Sequence, residues 1–151
     1  LAGFRKVKVI NSAIARKSGT ISLKIPKNID SASPNISIFS SRWDKNKIFK
    51  LRVKTIPIST LIRDKTSIDC LILDIEGKED EVLQDLQNSK KIKFIKNIFI
   101  EHHGYNNHSF EKIIKILAKN NFKIILGGGV RPPFWWYKNK FFSSLIYAYQ
   151  D

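Results

Sequence analysis

Two stretches of this chain put acids and imidazoles where apolar runs end. Cys70-Leu71-Ile72-Leu73 leads into Asp74-Ile75-Glu76-Gly77, and Asn97-Ile98-Phe99-Ile100 leads into Glu101-His102-His103-Gly104-Tyr105. Carboxylates beside imidazoles suit either a proton-transfer site or a site for a hard metal ion. A charge at the end of a buried strand costs free energy unless something uses or pairs it. Asp74, Glu76, Glu101 and His103 are therefore the candidate catalytic residues. A plainer reading of the same residues has Glu76 capping the following helix and His102 packing on a sheet. The sequence assigns no set of metal ligands.

The elements around these residues explain how they could meet. Cys70 to Ile75 is a continuous apolar run, which suits a strand buried on both faces of a parallel sheet. Glu79 to Leu86 reads as a helix with Val82, Leu83 and Leu86 on one face and acids at Glu79, Asp80 and Glu81 in the first turn, where the helix dipole favours them. Residues 97–101 form a second buried strand. Phe110, Ile113, Ile114 and Leu117 recur at helical spacing, with Ser109 as a candidate cap and Asn120-Asn121 as the stop. Lys123 to Leu126 is a third strand, and Phe141 to Tyr149 a last one, antiparallel to its neighbour. Strand and helix alternate, so the expected fold is α/β: a mostly parallel open sheet with an antiparallel last strand. Ligands of such sheets bind beyond the carboxyl ends of the strands. If the 70–75 and 97–101 strands are neighbours, their acids and histidines converge on one cleft.

The first half is less regular. Lys6 to Ile10 and Thr20 to Ile25 read as a hairpin around the Arg16-Lys17-Ser18-Gly19 turn. Residues 26–47 contain Pro26 and Pro34 and read as an irregular connection. Phe49, Leu51 and Val53 alternate with basic residues in a half-exposed strand that Pro57 ends, and Ser59 can cap a short helix through Leu61 and Ile62. Gly127-Gly128-Gly129 follows a strand but precedes Val130-Arg131-Pro132-Pro133 rather than a helix, so it reads as a turn and not as a phosphate loop. The aromatic and lysine-rich segment Phe134 to Phe142 would suit stacking on a sugar or base, a membrane interface, or a hairpin tip packed on the sheet.

Length and composition fit one globular domain. The 151 residues are 42% hydrophobic and 26% charged. Cys70 is the only cysteine, so no internal disulfide forms. No apolar run approaches the ~18 residues of a spanning helix, and the first residues lack the core of a signal peptide, so the expectation is a cytoplasmic protein. The net charge is +14, from 27 basic and 13 acidic residues. Residues 1–73 hold 15 basic and 4 acidic residues, whereas residues 74–101 hold 5 and 7. A basic domain often meets nucleic acid or an anionic surface; a drift of composition toward Lys, Ile and Asn gives the same excess.

Three strings taken together resemble the FkbM-type methyltransferases. They are Val53-Lys54-Thr55-Ile56 through Leu61, Ser67-Ile68-Asp69-Cys70-Leu71-Ile72-Leu73-Asp74-Ile75-Glu76-Gly77-Lys78-Glu79, and Val82-Leu83. That family's pattern is a threonine-initiated T-x-x-x-L helix, an I-D-x-L-x-x-D-x-E-G-x-E strand and turn, and a V-L helix. Phe99-Ile100-Glu101-His102-His103, the Phe110 to Phe122 helix, and Val9 to Ile14 with Gly19-Thr20-Ile21 extend the likeness over about residues 7–126. The resemblance implies a Rossmann-like fold, S-adenosylmethionine as cofactor, and methylation of hydroxyls on sugars or other small molecules. It places Asn11, Ser12 and Ala13 beside the adenine, with Asp74 also touching the cofactor.

The family's glycine-rich cofactor loop and the acidic strand end that holds the ribose have no counterpart in the chain. Both would lie before Leu1. The expectation is a single partial domain over residues 1–151, incomplete at its N-terminus. Such a chain is expected to bind S-adenosylmethionine weakly or not at all by itself, and its exposed sheet edge invites self-association. The acceptor is a hydroxyl-bearing small molecule or glycan, with no specific nucleic acid. Two other classes compete. Asp74-Ile75-Glu76 ending a strand also resembles the first motif of two-metal nucleases, which the net charge would suit. A basic module that binds nucleic acid or glycan without catalysis is the third.

Overall fold

The computed structural model describes residues 6–26, 48–75, 77–104, 107–127 and 142–150. Its first sheet holds β1 (Ala13–Ile14), β2 (Gly19–Pro26) and β3 (Ile48–Ile56), with β3 in the middle. β1 lies parallel to β3 and β2 antiparallel to it, with Ile21 opposite Val53 and Leu23 opposite Leu51. The expected hairpin is therefore corrected. Lys6 to Ile10 forms no strand, and Val7 and Val9 stand 66% and 86% exposed. Two valines among lysines bury too little to hold a strand, whereas β3 offers β2 a long run of matching alternation.

Thr55, expected to lead a helix, sits instead at the end of β3, where its hydroxyl donates to the Lys17 carbonyl at 2.9 Å. The short helix after Pro57 is a single 3₁₀ turn, Ile58–Thr60. Ser59 does not cap it; its N–H and hydroxyl both donate to the Asp85 carboxylate at 2.9 Å. The irregular connection over residues 27–47 lies outside the described residues.

The second sheet carries the candidate site. β4 (Ile68–Leu73), β5 (Ile95–Gly104), β6 (Lys123–Gly127) and β7 (Phe142–Tyr149) stand in the order β4-β5-β7-β6. β4 and β5 are parallel, and β7 is antiparallel to both its neighbours. The antiparallel last strand is as expected, but the mostly parallel sheet is not observed. β7 slots between β5 and β6, so β4–β5 is the one parallel contact of this sheet among the described residues. The reversal after β6 was readable from the short link; the slot was not, because it depends on β7 burying Ile146 and Ala148 in the centre of the core. The result is an α/β fold with mixed sheets, compatible with a methyltransferase-like architecture.

α1 (Glu79–Asn88) connects β4 to β5, and α2 (Asn107–Lys119) connects β5 to β6. α1 buries Val82, Leu83 and Leu86, and α2 buries Ile113, Ile116 and Leu117. Both pack in one cluster with Leu73, Ile98, Ile100, Ile146 and Ala148. Each buried Val, Leu or Ile side chain contributes about 1.5–3 kcal/mol relative to exposure. Both helices close with a residue in the left-handed region. Lys90 (φ 58°) follows α1, with the Lys91 N–H donating to Leu86. Asn121 (φ 62°) follows α2, with the Phe122 N–H donating to Leu117. Asparagine tolerates that conformation better than lysine does.

The other face of the second sheet is apolar and open. Ile72, Phe99, Tyr147 and Ile125 form one row across its four strands. Ile72 is 73% exposed, and Phe99 stacks on Tyr147 with ring centroids 4.5 Å apart. The expectation that β4 is buried on both faces is corrected: α1 and α2 pack on the side of Leu73 and Ile98, leaving the Cys70 and Ile72 side in solvent. No helix among the described residues is long and apolar enough to cross a membrane.

Candidate active site

Parallel pairing of β4 with β5 sets Leu73 opposite Ile100. The next residue on each strand is an acid, so Asp74 and Glu101 end neighbouring strands on one edge. His103 follows two residues later on β5, and strand alternation turns it to the Glu101 side. One ligand atom from each of Asp74, Glu101 and His103 lies within 4.8 Å of the others. His103 Nε2 is 3.9 Å from Asp74 Oδ1 and 3.6 Å from Glu101 Oε1. On the other side of the ring, His103 Nδ1 is 3.4 Å from Glu79 Oε1. Exposure falls inward along this group: the Asp74 side chain is 59% exposed, Glu101 40%, His103 17% and Glu79 1%.

Glu79 is the innermost member, and local sequence explains how it gets there. Gly77 takes φ 110°, a conformation open to glycine. The chain then turns so that the Gly77 N–H donates to Glu79 Oε1 at 2.8 Å as α1 begins. Burial by itself raises the pKa of this carboxyl, but hydrogen bonds from His103, from Gly77 and from its own backbone amide outweigh that, and the group sits below its usual range. The helix N-terminus adds a favourable dipole. In the tautomer that donates Nδ1–H to Glu79, the His103 ring turns Nε2 toward Asp74 and Glu101.

His102 points the opposite way and is fully buried. Its Nε2 lies 2.8 Å from Ser109 Oγ, and its ring tilts against Phe110. Burial holds its pKa below the usual value, with Glu79 opposing and His103 reinforcing the shift. Ser109, expected to cap α2, lies inside that helix and serves His102 instead.

Of the residues singled out from sequence, the structure brings together Asp74, Glu101 and His103. Asn11 is exposed, the Ser12 N–H donates to Ile10, and Ala13 pairs with Thr55 in the first sheet. None of these three is a member of the cluster. Glu76, Gly128, Gly129 and residues 134–141 lie outside the described residues. Glu79 was read only as a helix-dipole acid, and its place behind His103 was missed. The signal that could have found it is an acid at the first helical position, two residues after a glycine able to take positive φ.

An α/β sheet with acids and an imidazole at the carboxyl ends of adjacent strands is a place for group-transfer chemistry. Which transfer follows from the family: the model for the methyltransferase FkbM domain matches residues 4–124. The chain belongs to the FkbM methyltransferase family, and the enzyme is a methyltransferase. No curated protein and no solved structure matches it.

Proposed function

We propose that this enzyme uses S-adenosylmethionine to methylate a hydroxyl of a sugar or another small molecule at the Asp74–Glu101–His103 edge. The observation that supports this most is the convergence of those three side chains at the ends of β4 and β5 in a chain of this family. The cofactor supplies an electrophilic methyl group on a cationic sulfur. The donor chemistry of the edge fits it, because two solvent-facing carboxylates favour a cation nearby. Asp74 would hold the cofactor's methionine end and the Asn11–Ala13 turn its adenine.

His103 Nε2 would take the proton that the acceptor hydroxyl gives up, and the bound cofactor would supply the methyl group that replaces it on the oxygen. Glu79 keeps the ring in the accepting tautomer and stabilises the imidazolium that results. Glu101 orients the acceptor by taking a hydrogen bond from a second hydroxyl. The reaction is written for an acceptor with neighbouring hydroxyls, as sugars have.

The test is transfer of a labelled methyl group from S-adenosylmethionine to a panel of sugars, with the full protein that the gene encodes. His103→Gln lowers turnover by about 10²–10⁴-fold, the usual worth of a positioned base. An unchanged rate in His103→Gln overturns the assignment.

A further inference from the structure

We propose that Asp74 Oδ1, Glu101 Oε1 and His103 Nε2 form one face of a divalent-cation site, with Glu79 aiming the imidazole from behind. The three donors come from two adjacent strands and lie within 4.8 Å of one another. An ion with metal–oxygen bonds of about 2.1 Å in an octahedral shell holds adjacent donors about 3.0 Å apart. The two separations from His103 Nε2, 3.6 and 3.9 Å, exceed that by under an ångström, and the two carboxylates lie within 4.8 Å of each other. Asp74 is exposed and Glu101 half-buried, so binding calls for rotation of these two side chains toward the ion.

Two further features point the same way. Histidines that bind metals hand their other ring proton to a carboxylate or carbonyl, which fixes the tautomer and raises the basicity of the ligating nitrogen. The buried Glu79 carboxylate stands in that position on His103 Nδ1. The charges also favour an ion: Asp74, Glu79 and Glu101 gather on one imidazole. A protonated ring brings one positive charge to them, whereas a divalent cation brings two and leaves Nε2 as a ligand. Two carboxylate oxygens with one imidazole suit Mn²⁺, Fe²⁺, Co²⁺ or Zn²⁺ better than Ca²⁺.

A face of three protein donors leaves positions open on the solvent side. A pair of neighbouring hydroxyls on an acceptor fills two of them, and this use of the site rests on the methyl-transfer reading. The ion would lower the pKa of a bound hydroxyl, whose proton passes to water, and with the ion in place His103 is a ligand, replacing the proton-acceptor role that it has in the metal-free form of the proposal.

Mn²⁺ titrated into the metal-stripped chain, without cofactor or acceptor, tests the site by itself. Electron paramagnetic resonance reads free Mn²⁺ directly. One equivalent binds the wild-type chain. Asp74→Asn and Glu101→Gln each weaken binding by more than tenfold, and Glu79→Gln weakens it by about 10–100-fold. Glu111→Gln, on the exposed side of α2, leaves binding unchanged, and circular dichroism checks that each variant folds. No binding at millimolar Mn²⁺, or binding indifferent to Asp74→Asn and Glu101→Gln, overturns the proposal. Methyl transfer that persists in excess EDTA removes the ion and leaves His103 as the proton acceptor. Mn²⁺ binding with no methyl transfer keeps the ion and removes the methyl-transfer reading.

Discussion

Glu79→Gln keeps the shape of a buried side chain and removes its charge. Glu79 Oε1 accepts from the Gly77 N–H at 2.8 Å and from His103 at 3.4 Å, at the first position of α1. A hydrogen bond to a charged group contributes about 1.5–3 kcal/mol and a neutral one about 0.5–1.5. The dipole of the helix N-terminus adds some tenths to 1 kcal/mol for an anion. Relief of the buried charge works in the other direction. The carboxyl's net shift is downward, so the favourable contacts outweigh burial. The expected loss for Glu79→Gln at pH 7 is about 1–2 kcal/mol, a factor of about 5–30 in the folded-to-unfolded ratio.

The pH dependence separates this from simple mispacking. A carboxyl whose folded-state value lies below its unfolded one stabilises the protein above the unfolded value, and that contribution disappears as pH falls through the folded one. The gap between wild type and Glu79→Gln is therefore full above about pH 4.5 and narrows as pH falls further. Urea unfolding followed by far-ultraviolet circular dichroism, with EDTA in every buffer, measures it. A gap that stays constant with pH, or a Gln variant more stable than wild type at pH 7, refutes the account of this residue.

Two further expectations concern the scaffold. Leu83 is fully buried between α1 and the sheet, so Leu83→Ala lowers stability by about 2–5 kcal/mol, whereas Ile72→Ala on the open face changes it by less than about 0.5 kcal/mol; urea midpoints of the pair check this. Lys90 holds φ 58° after α1, a conformation glycine adopts without strain, so Lys90→Gly raises stability by about 0.5–1 kcal/mol, read as a higher melting temperature.

Much of the second half of the chain was legible because its signals are local. Val82, Leu83 and Leu86 lie on one helical face in both sequence and structure, and Asn121 stops α2 as its φ tolerance suggests. Asp74 and Glu101 could be placed on one edge because one helix between two apolar runs makes them parallel neighbours. What stayed hidden depends on distant pairing. The β2 partner lies beyond a long connection, so alternation could say that Ile21 to Ile25 is a strand but not that Val53 faces it. β7 slots between β5 and β6 because Ile146 and Ala148 complete the core, which no local pattern encodes. Glu79 was obscure for a different reason. Its residue type already had an adequate explanation in the helix dipole, and only the Gly77 turn brings it behind His103.

A crystal structure of the full gene-encoded protein with S-adenosylhomocysteine at saturating concentration bears most directly on the central claim. The account places the cofactor's sulfur beyond the carboxyl ends of β4 and β5, with its methionine end against Asp74, its adenine at Asn11 to Ala13, and His103 facing the side from which an acceptor enters. Cofactor density elsewhere on the fold, with Asp74 and His103 still in solvent, contradicts it.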